Sequence, residues 1–203
     1  MENTEIIKGL QAIVGAERVV TNEAAVAEET KDAIGFRRYE RADGVFDVPQ
    51  ALCAVKVKST EEASQVLAFL NANKVKTTPR TGGSSVTQGI EPVEGAVMLD
   101  GSEITGVYKI AEVTTQVTTG CGMPLQALED QLNAKGYTTG HSPQSLPLAQ
   151  MGGLVATRSI GQWSTLYGGI ENLLVGLEAV MADGQIIRIK NVPRRSTGPD
   201  LRN

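Results

Sequence analysis

The apolar residues at the start of the chain recur with two different periods. The N-terminal lead-in, residues 1–47, has helical spacing at four positions: Ile6, Ile7, Leu10 and Ile13. Alternation from Ala51 to Val57 instead predicts a strand. Ser59 then precedes Glu62 by three residues, which predicts a helix that begins with a capping box. That helix carries one apolar stripe, formed by Ala63, Val66, Leu67 and Leu70.

A second strand, predicted over residues 75–78, delivers the chain to a loop of unusual composition. Strand–helix–strand order predicts a parallel pair with a right-handed crossover, so the loop lies at the carboxyl end of the second strand. The loop, PRTGGSSVTQG at residues 79–89, has Val86 as its one apolar side chain. Its glycines allow close approach to a ligand, and its N–H groups can form an anion-binding nest. On composition alone it is either a phosphate site or a plain surface turn.

The second half of the chain changes character. Three short strands, AVMLD, GVYKI and VTTQVTTG, are predicted with glycine turns between them. Pro124 opens a helix that Gly136 closes, with Leu125, Leu128 and Leu132 on its apolar face. Residues 173–181 and 185–190 flank an Ala-Asp-Gly turn and predict a hairpin. The predicted fold is α+β, with a small βαβ lobe followed by a larger mixed or antiparallel-sheet lobe with flanking helices.

Charge and composition exclude several classes of function. The net charge of −4 and the 4% aromatic content argue against a nucleic-acid-binding face. The sequence contains neither an apolar run of the ~20 residues that a membrane helix needs nor a secretory signal at its N-terminus, so we expect a soluble, cytoplasmic protein without a transmembrane segment. Cys53 and Cys121 lack metal-ligand spacing and are expected to be reduced thiols. With His141 as the one histidine, no metal site is expected.

The common nucleotide-binding and hydrolase motifs are missing. The sequence contains no GxxxxGK[ST] P-loop, no GxGxxG after a strand and no GxSxG nucleophile elbow. Residues 136–184 instead contain many glycines and small residues in a segment too apolar to be disordered. Such a segment predicts a backbone packed closely around a flat or anionic group.

Three motifs in order closely resemble a known family. PRTGGSSVTQG, the run GHSPQS…GG…ATRSIG…YG and the tail PRRSTGPDLRN resemble the FAD-binding, p-cresol-methylhydroxylase-type (PCMH-type) domain of the FAD-linked oxidases, the vanillyl-alcohol-oxidase superfamily. Within it they resemble the branch of alkylglycerone-phosphate synthase and the D-2-hydroxyacid dehydrogenases. The resemblance covers residues 48–203, so the lead-in and this domain are the two expected units. It implies a nucleotide-binding flavoprotein with FAD.

The resemblance also implies roles for individual residues. The diphosphate of FAD would be bound by the glycine loop, through Pro79, Arg80, Thr81, Gly82, Gly83, Ser84, Ser85 and Gln88. The flavin side would be lined by His141, Pro143, Ser145 and Leu146. The diphosphate and adenosine would also contact Gly152, Gly153, Thr157, Ser159, Gly161, Tyr167, Gly168 and Ile187. His141 is either a catalytic proton donor or relay beside the flavin or a hydrogen-bonded structural imidazole.

Further expectations concern the cofactor, the reaction and the partners. The glycine loop contains no histidine for covalent attachment, so noncovalent FAD is expected. The implied function is oxidation of a 2-hydroxyacid-type small molecule by hydride transfer to FAD. The alternatives are a flavin transferase similar to alkylglycerone-phosphate synthase, or a flavin-binding module inactive without a further domain. Since members of this branch continue into a GSEG-like motif and a substrate-binding cap, a C-terminal cap domain or partner chain is expected beyond Asn203, and a homodimer is a further expectation.

Overall fold

The computed structural model describes residues 2–34, 50–191 and 202. The helices within them are α1 (Asn3–Val14), α2 (Glu23–Glu29), α3 (Thr60–Ala72), α4 (Leu125–Asn133), α5 (Met151–Ala156), α6 (Ser164–Tyr167) and α7 (Ile170–Leu173). The strands are β1 (Val19–Val20), β2 (Cys53–Lys56), β3 (Thr77–Arg80), β4 (Val97–Asp100), β5 (Val107–Ala111), β6 (Gln116–Thr119), β7 (Leu177–Val180) and β8 (Ile186–Ile189). Short 3₁₀ turns occupy Ala16–Arg18 and Glu112–Thr114.

The first sheet has the order β1-β2-β4-β3. Strands β2 and β3 run parallel, as the sequence predicts, but they are not direct neighbours, because Cys53 of β2 and Thr77 of β3 both lie opposite Val97 of β4. All four residues of β4 are buried. A strand that is apolar on both faces is favoured at the centre of a parallel sheet, which explains why β4 lies between the two predicted partners. The glycine loop leaves β3 at the carboxyl edge of this sheet.

Both a local cap and a contact with a distant residue stabilise the start of helix α3. The side chain of Ser59 accepts from the N–H of Glu62, as the predicted capping box requires. Glu62 does not return the bond to Ser59. Its carboxylate accepts instead from Arg18, at 2.9 Å from Nη2, and from the N–H of Lys58 at 2.8 Å. The half of the box that depends on Glu62 is therefore replaced by an ion pair to the N-terminal part of the chain.

The N-terminal lead-in belongs to the same core as the sheet. Ile6, Leu10 and Val14 of α1 are buried in one cluster with β2, α3 and β4. Strand β1 adds to the sheet edge by pairing antiparallel with β2. The predicted boundary between residues 47 and 48 lies outside the described residues, which lack 35–49.

The second lobe has its own core and two hairpins. Its buried cluster comes from α4, α5 and α7 and their flanking residues, and consists of Met123, Leu125, Leu128, Leu132, Ala149, Leu154 and Ile170. The turn between β5 and β6 is not a glycine turn as predicted, because the 3₁₀ turn ends at Thr115 in the left-handed region, with φ of 50°. The predicted β7–β8 hairpin is confirmed and packs on α3, where the hydroxyl of Ser64 donates to the carbonyl of Gly184. The predicted α+β fold with two lobes is confirmed.

Within the described ranges, every helix is too short or too polar to cross a membrane. Cys53 and Cys121 are both free thiols. Cys53 is completely buried in β2, and burial raises the pKa of its thiol to about 12.

Candidate functional site

The glycine loop, residues 79–89, is partly exposed and contains main-chain donors. Gly83 has φ of 61°, a left-handed conformation typical of the nests in which successive N–H groups point into one concavity. In the part of the chain that the structure describes, the N–H groups of Gly82, Gly83 and Ser84 meet no acceptor. Ser85 stabilises the turn beyond them, because its hydroxyl accepts from the N–H of Thr87 at 3.2 Å. Within the described residues, the loop thus has three neighbouring donors without an acceptor, an arrangement that suits an anion.

A second segment, residues 148–153, meets this loop at the junction of the two lobes. A Cβ on Gly82 would lie 2.4 Å from the carbonyl oxygen of Leu148 and 3.0 Å from the nitrogen of Gln150. The N–H of Gly153 donates to the hydroxyl of Thr81 at 3.2 Å. The loop and the second segment are thus in direct contact, and glycine at residue 82 is what permits the approach.

Cys121 lies beneath the same contact. A Cβ on Gly152 would come within 2.7 Å of the Cβ of Cys121 and 3.3 Å of the methyl group of Thr81. The N–H of Gly152 donates to the carbonyl of Cys121 at 2.7 Å. Burial raises the pKa of the Cys121 thiol, so the thiol stays protonated near neutral pH and acts here as a packing group.

The side chain of Arg80 binds protein groups. Its Nη1 donates to the carbonyl oxygens of Glu29 and Lys31 at the end of α2, and its Nε lies 3.5 Å from the Glu29 carboxylate. Cationic side chains at a helix C-terminus satisfy carbonyls that lack an intrahelical partner. The guanidinium thereby holds α2 beside the loop, and a contribution of Arg80 to an anion site stays a prediction.

His141 lies in a second group of predicted residues. His141 is buried, with 2% of the residue exposed, and its Nε2 lies 3.1 Å from the hydroxyl of Ser159. Its other nitrogen, Nδ1, is buried and has no partner among the residues the structure describes. The flanking glycine, Gly140, packs against the ring of Tyr167, and Gly161 packs against the main chain of Ser142.

The electrostatic environment of His141 favours the neutral imidazole. Desolvation lowers its pKa from the ordinary 6.5, while the carboxylates of Glu171 and Glu129 act in the opposite direction. Glu129 projects from α4 and accepts from the hydroxyl of Thr138 at 2.7 Å and from the N–H of Thr139 at 2.8 Å. Glu129 therefore fixes the turn that carries His141, a contact that the sequence motifs do not reveal.

Other predicted residues hold the second lobe together. The carbonyl of Pro143 accepts from Leu146, whose side chain packs against the second core, and the carbonyl of Ser145 accepts from Leu148. The hydroxyl of Thr157, which follows α5, donates to the carbonyl of Gly153. These contacts set the course of the main chain on either side of residues 148–153.

Gly168 and Ile187 lie further along the chain. Gly168 ends α6 with φ of 82°. Ile187 lies opposite Ala179 in the β7–β8 hairpin, and no described contact joins it to the loop. The tail PRRSTGPD, at residues 193–200, lies outside the described residues.

Comparison with known proteins supports the interpretation of this chain as an FAD-binding domain. A family model described as "FAD binding domain" matches residues 51–190. The curated Escherichia coli K12 protein named uncharacterized FAD-linked oxidoreductase YgcU is 52% identical over 204 residues, covering 100% of this chain and 42% of that protein. A D-lactate dehydrogenase of Archaeoglobus fulgidus is 31% identical over 135 residues, covering 66% of this chain and 30% of that protein.

Alkyldihydroxyacetonephosphate synthase is similar both in sequence and in structure. The Caenorhabditis elegans protein of that name is 33% identical over 148 residues, covering 71% of this chain and 25% of that protein. A solved structure of an alkyldihydroxyacetonephosphate synthase has a TM-score of 0.89 at 23% identity, covering 100% of this chain and 37% of that chain. At that identity the structural likeness shows the fold. The chain spans less than half the length of the curated relatives it matches.

Proposed function

Because this chain belongs to the FAD binding domain family, with FAD as its cofactor, we propose that it forms the FAD-binding part of an FAD-dependent oxidoreductase. The observation that carries the proposal is the contact between the glycine loop and residues 148–153. Gly82 lies against the main chain of residues 148–150, and Gly153 donates to Thr81. Two segments far apart in sequence are thereby joined beside unsatisfied N–H groups, a chemistry that suits a diphosphate.

Main-chain amides bind the negative charge of the diphosphate in this proposal. The N–H groups of Gly82, Gly83 and Ser84 lack acceptors among the described residues, and the guanidinium of Arg80 is bound by α2. Charge-assisted hydrogen bonds from amides to an anion are stronger than neutral ones. We therefore assign the binding of the diphosphate to these three amides and treat Arg80 as a support of the loop.

Noncovalent attachment of FAD fits the nucleophilic side chains near the two segments. The loop contains no histidine, and His141 is buried with Nε2 against Ser159. The thiol of Cys121 is packed beneath Gly101 and Gly152, with a raised pKa. A buried protonated thiol is a poor nucleophile.

For the reaction, a 2-hydroxyacid is the substrate class that we propose. Bound FAD supplies an acceptor for a hydride equivalent from such a substrate. Similarity to D-lactate dehydrogenase supports this class, and similarity to alkyldihydroxyacetonephosphate synthase supports a flavin transferase as the second candidate. Neutral His141 has an Nδ1 that meets no partner in the described part of the chain and can accept a proton or a hydrogen bond, which is the catalytic role we propose for it.

Equilibrium dialysis tests cofactor binding directly. The folded chain should retain FAD and show a protein-bound flavin spectrum, and it should retain FMN less well because FMN lacks the diphosphate that the loop binds. Circular dichroism on the same sample establishes that the chain is folded. A folded chain that retains no FAD contradicts the proposal.

Anaerobic titration then separates the candidate reactions. D-lactate, glycolate and 2-hydroxyglutarate are added in turn to the FAD-loaded protein, and bleaching of the flavin is followed by absorbance. Bleaching by one of them supports the dehydrogenase reaction. Bound flavin that none of them bleaches favours the transferase or a module that needs a further domain.

A further inference from the structure

The segment 28–34, at the end of α2, packs directly onto the glycine loop. It lies outside residues 51–190, which the family model matches, and no sequence motif marks it. The N–H of Ala33 donates to the carbonyl of Ser85 at 2.8 Å. The N–H of Gln88 donates to Oδ2 of Asp32 at 2.7 Å. The N-terminal part of the chain therefore binds the loop on the side where the loop leaves the proposed diphosphate site.

Asp32 uses both carboxylate oxygens on main-chain donors. Oδ2 accepts from Gln88 in the loop, while Oδ1 accepts from the N–H of Ile34 at 3.0 Å within its own turn. A carboxylate accepts at both oxygens, whereas an asparagine amide accepts at one and turns a donor toward the other N–H. The bridge between the turn and the loop thus requires the carboxylate.

The loop needs such support because its backbone is held in an uncommon conformation. Gln88 has φ of 60°, a left-handed value that is uncommon for a residue with a side chain. Its carbonyl accepts from Glu91 at 3.0 Å, so the residue is bonded on both sides of the turn. At the opposite end of the loop, Arg80 binds the carbonyl of Lys31 at 3.2 Å. Segment 28–34 therefore binds both ends of the loop, whose amides at residues 82–84 have no acceptor among the described residues.

We propose that Asp32 is a positioning residue that holds the glycine loop in its FAD-binding conformation, so that docking of segment 28–34 and binding of FAD are coupled. The proposal rests on the assignment of FAD to this loop. Coupling between two binding events is reciprocal, so bound FAD in turn stabilises the docked segment. A loop that is already ordered loses less conformational entropy when the ligand binds.

Asp32→Asn tests the proposal, with Asp183→Asn as its matched control. Asp183 makes the same turn contact as Asp32, accepting from the N–H two residues later, Gln185, at 2.9 Å, but lies in the β7–β8 turn and bonds no loop amide. Flavin fluorescence titration measures the dissociation constant for FAD. Because a hydrogen bond to a charged acceptor is lost at the loop, Asp32→Asn should weaken FAD binding by about tenfold, and Asp183→Asn by less than about threefold.

A second measurement is independent of FAD. In the ¹H–¹⁵N spectrum of the cofactor-free protein, Asp32→Asn should shift the amide resonance of Gln88 and speed its hydrogen exchange, with both changes confined to the loop and to residues 28–34. Asp183→Asn should leave the Gln88 amide unchanged. A role in overall folding would instead speed exchange across both cores and lower the unfolding temperature, without a local change at Gln88.

The outcomes separate this proposal from the assignment of FAD. If Asp32→Asn and Asp183→Asn give equal FAD affinities and equal Gln88 exchange, Asp32 does not position the loop. If exchange rises throughout the chain, the role of Asp32 is structural and the proposal is wrong. If the wild-type chain binds no FAD, the functional assignment is lost, while the exchange at Gln88 still decides whether Asp32 orders the loop.

Discussion

Gly82→Ala is the sharpest test of the contact on which the site depends. The added Cβ would lie 2.4 Å from the carbonyl oxygen of Leu148, about 1 Å inside the 3.4 Å at which ordinary contact begins. The obstacle is main chain and not the end of a flexible side chain, so the second segment must move away from the loop. The backbone of Gly82 has no positive φ, so the effect of alanine is steric and not conformational.

The magnitude follows from the cost of overpacking. Inserting a methyl group into a tightly packed site costs about 1–3 kcal/mol. If the chain relieves this overlap by separating the loop from residues 148–150, the cost appears in cofactor binding as a loss of about fivefold to about a hundredfold in FAD affinity. If it does not, the same cost appears as a lower unfolding temperature. Fluorescence titration and thermal unfolding together account for both routes.

Gly89→Ala provides the control within the same loop. The nearest atom to a Cβ on Gly89 is the hydroxyl of Thr87, at 3.6 Å, which is ordinary contact. We expect Gly89→Ala to change the dissociation constant by less than about threefold, because alanine there displaces nothing. Equal affinity and equal unfolding temperature for the two variants would refute the conclusion that Gly82 permits a close approach needed for FAD binding.

Two further predictions concern titratable groups. Burial lowers the pKa of His141, so the neutral buried imidazole contributes fully to stability above pH 6.5, and this contribution is lost as the pH falls through the folded pKa. In thermal unfolding, the wild type should therefore lose stability relative to His141→Gln as the pH falls below 6.5. The hydrogen bond from Arg18 lowers the pKa of Glu62, so Glu62→Gln should cost about 1 kcal/mol in denaturant unfolding at pH 7. That difference should vanish as the pH falls below 4.5 through the folded pKa, and Glu61→Gln, at an exposed neighbour, should show neither effect.

Much of the local structure was predictable because the spacing of apolar residues along a helix or strand follows the face that it buries. The stripe Ala63, Val66 and Leu70 is buried in α3, and Ser59 caps that helix as its spacing indicates. The β7–β8 hairpin follows from two apolar runs around a short turn. The family, and with it FAD, was recognisable because short glycine motifs occur in a fixed order.

The contacts that complete the site were not predictable in this way. Motif matching selected Gly82 and Gly153 but could not show that the loop of the one contacts the segment of the other. Glu129 and Asp32, which hold the turn before His141 and the end of the glycine loop, stand in stretches without any motif. The motif also gave Arg80 a phosphate-binding role, while its guanidinium binds the end of α2.

The amino-acid sequence alone predicts helices α1, α3 and α4, strands β2 to β8 with the β7–β8 hairpin, and the family to which the chain belongs. The helices and strands depend on the order of residues within a few turns of chain, and the family depends on short motifs in a fixed order. The packing of distant segments places β4 between β2 and β3, brings the loop against residues 148–153, and bonds segment 28–34 to the loop. Such contacts join residues tens of positions apart, and they form because a buried strand must be covered on both faces and a buried donor must find an acceptor. The local pattern of one stretch of sequence does not identify the distant segment that it contacts in the fold.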